Sequence, residues 1–333
     1  MRIIVVQNTP YHFETAISLY QVCKNLNFST ALHVCPWVQK QDTFRQRTFL
    51  SQHGISSIAI SDVAKDDVCF AISAHPKRSA VLPQADAQIF NKLSRRLYIS
   101  HRFSDDVDYS GPLVTKNNSF CLSPLAAAIG VKHLWLTDAI FKPVYTPING
   151  SLQLSIQGHF QFKHRQLDKL NELKMSSARC RINLIGTESK RALATLTGAV
   201  NNVAAYAHIS ETNFYSLCNE NTHFLMPMID NTVHKQKYLK EVYSSTFNIA
   251  PICEKPIFAH KDFESVYRLP GIYYTDDDFQ DRFYEMLDIT EDKYRALVDA
   301  YKPLKEEMTL HNKSVLFPRV QALYNLKRDM WYG

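Results

Sequence analysis

The sequence predicts an α/β protein: two consecutive parallel-sheet domains followed by a helical tail. Three observations predict it. Short apolar runs alternate with amphipathic segments, the pattern of β-α-β units whose strands are covered on both faces. The alternation halts at a proline-containing stretch, Lys142 to Gly150, and restarts beyond it. The length of 333 residues suits two domains of about 150 residues each rather than one core.

The elements follow in order. Arg2 to Gln7 is an apolar strand that breaks into Asn8, Thr9, Pro10, Tyr11 and His12, and an amphipathic helix runs from Phe13 to Leu26. Thr30 to Cys35 is a second strand, and Gln39 to His53 is a helix closed by Gly54. Ser57 to Ile60 and Val68 to Ser73 are short strands, and Arg96 to Ser100 is another, followed at once by His101 and Arg102. Pro124 to Ile129 is a short helix closed by Gly130, and His133 to Leu136 is a strand. Lys142 to Gly150 separates a domain of residues 1–145 from one of residues 151–308. Past it come strand Leu152 to Gln157, broken by Gly158, and helix Lys163 to Lys174. Strand Arg181 to Ile185, broken by Gly186, and helix Glu188 to Leu196 are next, then strand Asn202 to Tyr206 and helix Glu211 to Asn219. Strand Thr222 to Met226 ends at Pro227, and Pro256 to Ala259 and Ile272 to Tyr274 are further strands. The remainder is mostly helical, with Pro303 dividing two long segments and residues 309–333 forming a tail.

Composition excludes several classes. The chain is 45% hydrophobic and 21% charged, ordinary for a soluble protein. Its longest apolar stretch, Leu122 to Leu136, is interrupted by Pro124, Lys132 and His133, so no segment spans a bilayer. The 7 cysteines are scattered singly with no metal-ligand spacing, which together with the absence of a signal peptide favours a reducing, cytoplasmic setting. A peripheral contact with a membrane surface stays open. The net charge of +6 suits an anionic small ligand, a nucleic acid or an acidic lipid.

Candidate chemistry gathers after strand ends, where open parallel sheets bind ligands. His12, at a strand-to-helix junction, reads as a general base or as a capping or core histidine. Asn8, Tyr11, His101 and Arg102 lie in equivalent loops, and Asp105 to Asp108 form a polar acidic turn that includes Asp106. Gly158, His159, Lys163 and Arg165 place cations at a helix start, which reads as a phosphate site or a solvated basic turn. Asp230 and Asn231 lie past a strand end, placed to bond a ligand hydroxyl. Ser244, Ser245 and Thr246 read as an N-cap cluster that can also cradle a diphosphate. Asp106 and Asp108 bracket one position, which reads as a solvated turn more often than as a metal site, and Thr275 to Phe279 reads as a capped helix start.

These residues together resemble the GT-B nucleotide-sugar glycosyltransferases, enzymes of two Rossmann-like domains facing a cleft, including those that build microbial or viral surface glycans. Asn8 to Glu14 is similar to the family's opening strand-loop-helix, where His12 takes the place of the histidine base of several branches. Gln157, Gly158 and His159 with Lys163 and Arg165 resemble the second domain's first loop, and Ser244 to Thr246 resemble the late helix start that meets the diphosphate or sugar. The family's E-x7-E signature is absent, its Gly-rich loop is reduced to single glycines and the plant-type signature box is not recognisable.

The resemblance implies sugar transfer from a nucleoside-diphosphate sugar to a hydroxyl of a glycan or glycolipid, with no cofactor beyond that co-substrate and no metal. The donor is then held by the second domain through Gly158, His159, Lys163, Arg165, Asp230, Asn231 and Ser244 to Thr246. The acceptor is held by Asn8, Tyr11, His101 and Arg102, with His12, or failing it Asp106, as the base. The helical tail is expected to pack back on the first domain. Three rivals stand beside it: a CDP- or CMP-donor transferase of polyol phosphate or sialic acid, a nucleic-acid binding or modifying protein, and a non-catalytic ligand-binding protein. The second lacks a concentrated basic stripe.

Overall fold

The computed structural model describes residues 2–9, 12–42, 45–74, 95–100, 115–160, 165–173, 179–196, 203–229, 232–240 and 244–325. Two units emerge: the described residues of Met1–Ile140 and Glu306–Gly333, and those of Phe141–Lys240 and Ser244–Lys305.

The first unit is built on β1 (Arg2–Gln7), β2 (Ser29–Val34), β3 (Val68–Ala74), β4 (Arg96–Ser100), β5 (Ser119–Cys121) and β6 (Lys132–His133), in sheet order β2-β1-β3-β4-β5-β6. Every pairing is parallel. Ile3, Ile4, Val5 and Val6 are all fully buried, and successive strand residues face opposite sides, so both faces of β1 are covered. Helix α1 (Phe13–Asn25) buries Phe13, Ala16, Ile17, Leu19 and Val22 along one stripe. The chain leaves β1 for β2 on one side and returns to β3 on the other. This places a topological switch point at the carboxyl ends of β1 and β3, beside the loop that carries Asn8 and His12.

The single helix expected over Gln39 to His53 is two helices, α2 (Pro36–Gln41) and α3 (Gln46–Gln52). Asp42 and Arg45 between them adopt positive φ, which ends a right-handed helix. Pro36 opens α2, where its missing N–H is harmless. The strand expected at Ser57 to Ile60 reduces to one bridge between Leu32 and Ser57, followed by a 3₁₀ turn, and β6 stops at His133.

The second unit holds β7 (Leu152–Gln157), β8 (Cys180–Ile185), β9 (Val203–Tyr206), β10 (Phe224–Leu225), β11 (Ile257–His260) and β12 (Gly271–Tyr274). Their order is β12-β11-β10-β7-β8-β9, again with parallel pairings. Counted within the unit this is the 3-2-1-4-5-6 order of dinucleotide-binding sheets, whose switch point lies between β7 and β10. Its helices are α4 (Ser189–Leu193), α5 (Glu211–Glu220), α6 (Thr232–Lys240), α7 (Thr246–Cys253), α8 (Glu264–Tyr267), α9 (Phe279–Leu287) and α10 (Glu291–Asp299). Leu154, Ile156, Ile182, Leu184, Phe224, Phe258 and Phe283 form the centre of the core. In place of the helix expected over Lys163 to Lys174, the described residues hold a 3₁₀ turn, Leu167–Glu172.

The stretch from Lys142 to Gly150 has no regular structure but is tied down. Lys255, fully buried, donates to the Val144 carbonyl at 2.7 Å and to Thr146 Oγ1 at 2.8 Å. Glu291 accepts from the Tyr145 hydroxyl and, at 2.9 Å, from the Ile148 N–H. His223 lies 3.1 Å from the Pro147 carbonyl. Burial pulls the Lys255 ammonium down to about 8.

Helix α11 (Tyr301–Asn325) is unbroken, contrary to the expected division at Pro303, because that proline sits in the first turn where no intrahelical N–H bond is needed. From Glu306 onward it belongs to the first unit. There Asn312 accepts from the Trp135 N–H and donates to the Trp135 carbonyl, both at 2.8 Å. The His311 ring stacks on His133 at 4.1 Å, and Phe317 packs on Phe28 at 4.7 Å. Among the described residues no helix is long and apolar enough to cross a membrane. All 7 cysteines are buried and unbridged.

Candidate functional site

The switch point of the second unit is shaped by two glycines. Gly158 follows β7 with φ +126°, and a Cβ there would stand 2.3 Å from Arg165 Nη2. Gly186 follows β8 with φ +142°, and a Cβ there would stand 1.9 Å from the Gly158 carbonyl oxygen. Both positions need glycine for backbone conformation and for close approach. The nested loops are pinned by Gly158 N–H to the Ile185 carbonyl at 3.0 Å, and by a contact between His159 Nδ1 and Thr187 Oγ1.

Arg165 lies back over this turn. Its Nη2 donates to the Gln157 carbonyl at 2.8 Å. Its Nε and Nη1 are buried and have no hydrogen-bond partner among the described residues. Burial pulls its pKa down, and among the described residues the ionisable group that opposes this is the Tyr238 phenol on α6, not a carboxylate. Gln157 Nε2 and Gln166 Oε1 are also buried without partners among the described residues. The Gln166 N–H donates to the Met228 carbonyl at 2.9 Å, which fastens the Arg165 segment to the end of β10. A guanidinium with unused donors thus sits at the β7/β10 switch point.

The expected N-cap at Ser244 to Thr246 takes a different form. Ser245 stands at the N-cap position of α7 but has helical φ −58° and ψ −21°, and makes no side-chain cap bond. A capping oxygen reaches the N2 or N3 amide from an extended backbone, which Ser245 lacks. Ser244 Oγ lies 3.5 Å from Thr246 Oγ1, and both side chains are buried.

Beside this region lies a charged cluster that the sequence did not single out. Lys235, on α6, is 8% exposed and stands 3.1 Å from Asp262, 3.5 Å from Asp276 and 3.1 Å from His260 Nε2. Asp276 also meets Lys169 at 3.1 Å and His260 at 3.6 Å. The Lys169 bond and the charges of Lys169, Lys235 and His260 hold Asp276 below the usual carboxylate range against the opposing effect of burial. His260 ends β11, and Asp276 follows β12. The one sequence signal for them was position: each comes within two residues of a strand's carboxyl end.

In the first unit His12 is the N-cap residue of α1, in the left-handed region at φ 61°, with no side-chain cap bond. Its Nδ1 stands 3.6 Å from Glu14 Oε1, and its side chain is 43% exposed. Its carbonyl accepts from the Thr15 N–H at 3.1 Å. Asn8 is buried at the end of β1. Of the other sequence-predicted residues, Tyr11, His101, Arg102, Asp106, Lys163, Asp230 and Asn231 lie outside the described residues.

Two Rossmann-type units in series, with a long C-terminal helix, constitute the GT-B fold. No protein-family model matches the chain, and no curated protein sequence matches it. Solved structures do. AviGT4, a glycosyltransferase involved in avilamycin A biosynthesis, is 10% identical over 97% of this chain and 98% of its own, with a TM-score of 0.56. The UDP-GlcNAc 2-epimerase of Neisseria meningitidis, bound to UDP-GlcNAc, is 10% identical over 97% of this chain and 100% of its own, with a TM-score of 0.51. HepE of Anabaena, in complex with UDP and glucose, is 13% identical over 100% of this chain and 99% of its own, with a TM-score of 0.47.

Proposed function

We propose that this protein transfers a sugar from a nucleoside-diphosphate sugar to a hydroxyl of a glycan or glycolipid, without a metal ion. Arg165 carries the reading. A buried cation with no carboxylate beside it among the described residues is costly, by several kcal/mol, and two N–H donors without an acceptor among those residues add to that cost. An anion seated at the switch point removes both penalties. The diphosphate of a nucleotide sugar is such an anion, and its charge grows as the sugar departs. Preformed donors aimed at developing charge are a strong means of transition-state stabilisation.

In this reading Arg165, Gly158 and His159, with Lys163 beside them in sequence, receive the diphosphate at one side. The start of α7, with Ser244, Ser245 and Thr246, offers hydroxyl groups and a helix dipole at the other, the Phe247 and Asn248 N–H groups being already bonded to the Ser244 and Ser245 carbonyls. Asp230 and Asn231 bond hydroxyls of the donor. His12 takes the proton of the attacking acceptor hydroxyl, with Glu14 Oε1 3.6 Å from its Nδ1. The new glycosidic C–O bond forms as the bond from the anomeric carbon to the phosphate oxygen breaks, and the diphosphate leaves with the electron pair. Asn8, Tyr11, His101 and Arg102 hold the acceptor, with Asp106 the alternative base.

The epimerase of the same fold favours a second reading, in which the same nucleotide site serves epimerisation of the sugar. A thermal-shift panel of UDP, GDP, CDP and CMP, each with EDTA and with Mg²⁺, tests the binding. Stabilisation by one nucleoside diphosphate in EDTA supports the reading, and no response to any nucleotide overturns it. Incubating the protein with the corresponding nucleotide sugar alone, then with acceptor hydroxyls, separates an epimerised donor from a transferred sugar.

A further inference from the structure

We infer that a cavity at the outer edge of the first unit's sheet is a saccharide subsite, which seats the sugar unit next to the one whose hydroxyl is attacked. Its role in transfer rests on the proposed activity; the binding of a saccharide there does not. The cavity measures about 370 Å³ and lies between β2, α2, α3 and the chain from Gly54 to Ser57. Ligand cavities run from about 300 to 1,000 Å³, so this one suits a compact ligand rather than an extended chain. Val34, Val38 and Leu50, all buried, give it an aliphatic wall.

Around that wall the polar groups are fixed but only partly used. The Val34 N–H donates to Ser57 Oγ at 2.9 Å, and Gln39 Nε2 donates to the Val34 carbonyl at 2.7 Å. Arg47 Nη2 donates to the Gln39 carbonyl at 2.9 Å, and the Arg47 N–H donates to Asp42 Oδ1 at 3.3 Å. Each bond joins one lining residue to another, so the cavity is shaped before a ligand arrives. They leave Asp42 Oδ2, Gln39 Oε1, and Arg47 Nε and Nη1 without bonds among the described residues. Two acceptors and two donors beside an aliphatic wall match a sugar ring, which carries hydroxyls on its rim and C–H groups on its faces. Hydroxyls both donate and accept. An acyl chain would strip water from those four groups and return no hydrogen bond. An anion would meet the Asp42 carboxylate.

The place in the fold links the cavity to the attacked hydroxyl. Val34 pairs with Gln7 in the β1–β2 ladder, and the Cys35 N–H donates to the Gln7 carbonyl at 3.0 Å. Phe49 of α3 packs edge-on against Phe13, the first residue of α1, at 5.6 Å. The cavity thus stands one strand, about 4.8 Å, outside the strand end that leads to His12. That offset fits the neighbour of the attacked sugar, not the attacked sugar itself.

The test is binding of the labelled full chain to a glycan array. The parent is expected to select glycans that share one sugar unit. Ser51 is exposed on α3 and lines the cavity, so Ser51→Phe obstructs it and is expected to abolish this binding. Asp42→Asn keeps an acceptor for the Arg47 N–H, tolerates the positive φ and turns Oδ2 into a donor; it is expected to weaken binding about tenfold. Matching thermal melts show that the variants are folded, and if Ser51→Phe is not, Arg47→Met, on another exposed side chain, takes its place. No bound glycan, equal binding by the obstructed variant, or binding that requires a lipid chain would overturn the inference. With the selected glycan as acceptor, Asp42→Asn is expected to raise KM about tenfold, and an unchanged KM would overturn the role in transfer. Saccharide binding with no transfer from any nucleotide sugar would instead remove the transferase reading.

Discussion

Replacing Arg165 by methionine should move stability and binding in opposite directions. Methionine keeps the length of the apolar stem and discards the guanidinium. What is lost structurally is one hydrogen bond, to the Gln157 carbonyl at 2.8 Å, worth about 1 kcal/mol net. What is relieved is a buried charge without a carboxylate, and two donors without acceptors, among the described residues, at about 1–3 kcal/mol for each buried donor. The balance predicts a ligand-free protein more stable by about 1–5 kcal/mol. With an unfolding entropy of about 2 cal/mol/K per residue, a unit of this size should melt about 3–15 °C higher. Adding UDP at about 100 times its Kd should raise the parent by about 2.7 kcal/mol and leave the variant unmoved. Differential scanning calorimetry with and without UDP reads both numbers. A variant that is less stable without ligand, yet still stabilised by UDP, would refute the argument that this arginine is kept for an anion.

Three further outcomes are expected. Gly186→Ala forces a Cβ to within 1.9 Å of the Gly158 carbonyl oxygen at φ +142°, so urea unfolding should show a loss of about 3 kcal/mol or more; a loss under about 1 kcal/mol would mean the loops yield easily. Burial holds Lys255 near 8 against the ordinary 10.5, so between these values the unfolded chain binds a proton that the native state has released, and this group's contribution to stability rises with pH. Lys255→Met removes that dependence, so its stability relative to the parent should fall by up to about 3 kcal/mol between pH 8 and 10.5; a pH-independent difference would show that the lysine is not desolvated. His12→Ala should lower kcat by about 10²–10⁴ with UDP affinity unchanged, and near-normal turnover would exclude His12 as the base.

Much of this fold is legible in the residues because its strands obey a simple rule. Ile3 to Val6 is an apolar run and Leu152 to Ile156 alternates apolar with polar residues; each is followed by a glutamine, and both lie where the sequence places them. The break inside Gln39 to His53 is not legible, because Asp42 and Arg45 adopt positive φ without a glycine to announce it. Glycine at 158 and 186 was readable as a strand terminator, but their mutual contact was not, since it joins two separate loops. Arg165 is readable as a charge at a helix start, but not as a side chain folded back onto the carbonyl of Gln157 at its own strand end. The Lys235, His260 and Asp276 cluster was invisible for a related reason. Its members come from three connections, and only the sheet order brings β11 and β12 side by side.

The first unit is discontinuous along the chain, and this bears on how the protein is made. Asn312 closes both backbone groups of Trp135 across a separation of 177 residues. A ribosome that has finished β6 has therefore produced a sheet still lacking Leu316, Phe317 and Val320, the apolar contacts that α11 supplies. That nascent sheet must wait, with part of its hydrophobic surface uncovered, while the whole second unit is synthesised, about ten seconds or more at ordinary elongation rates. A late helix of this kind ties completion of the first unit to synthesis of α11. A message truncated ahead of α11 would yield a second unit able to fold and a first unit prone to aggregation, and chaperone demand should fall on the amino-terminal half.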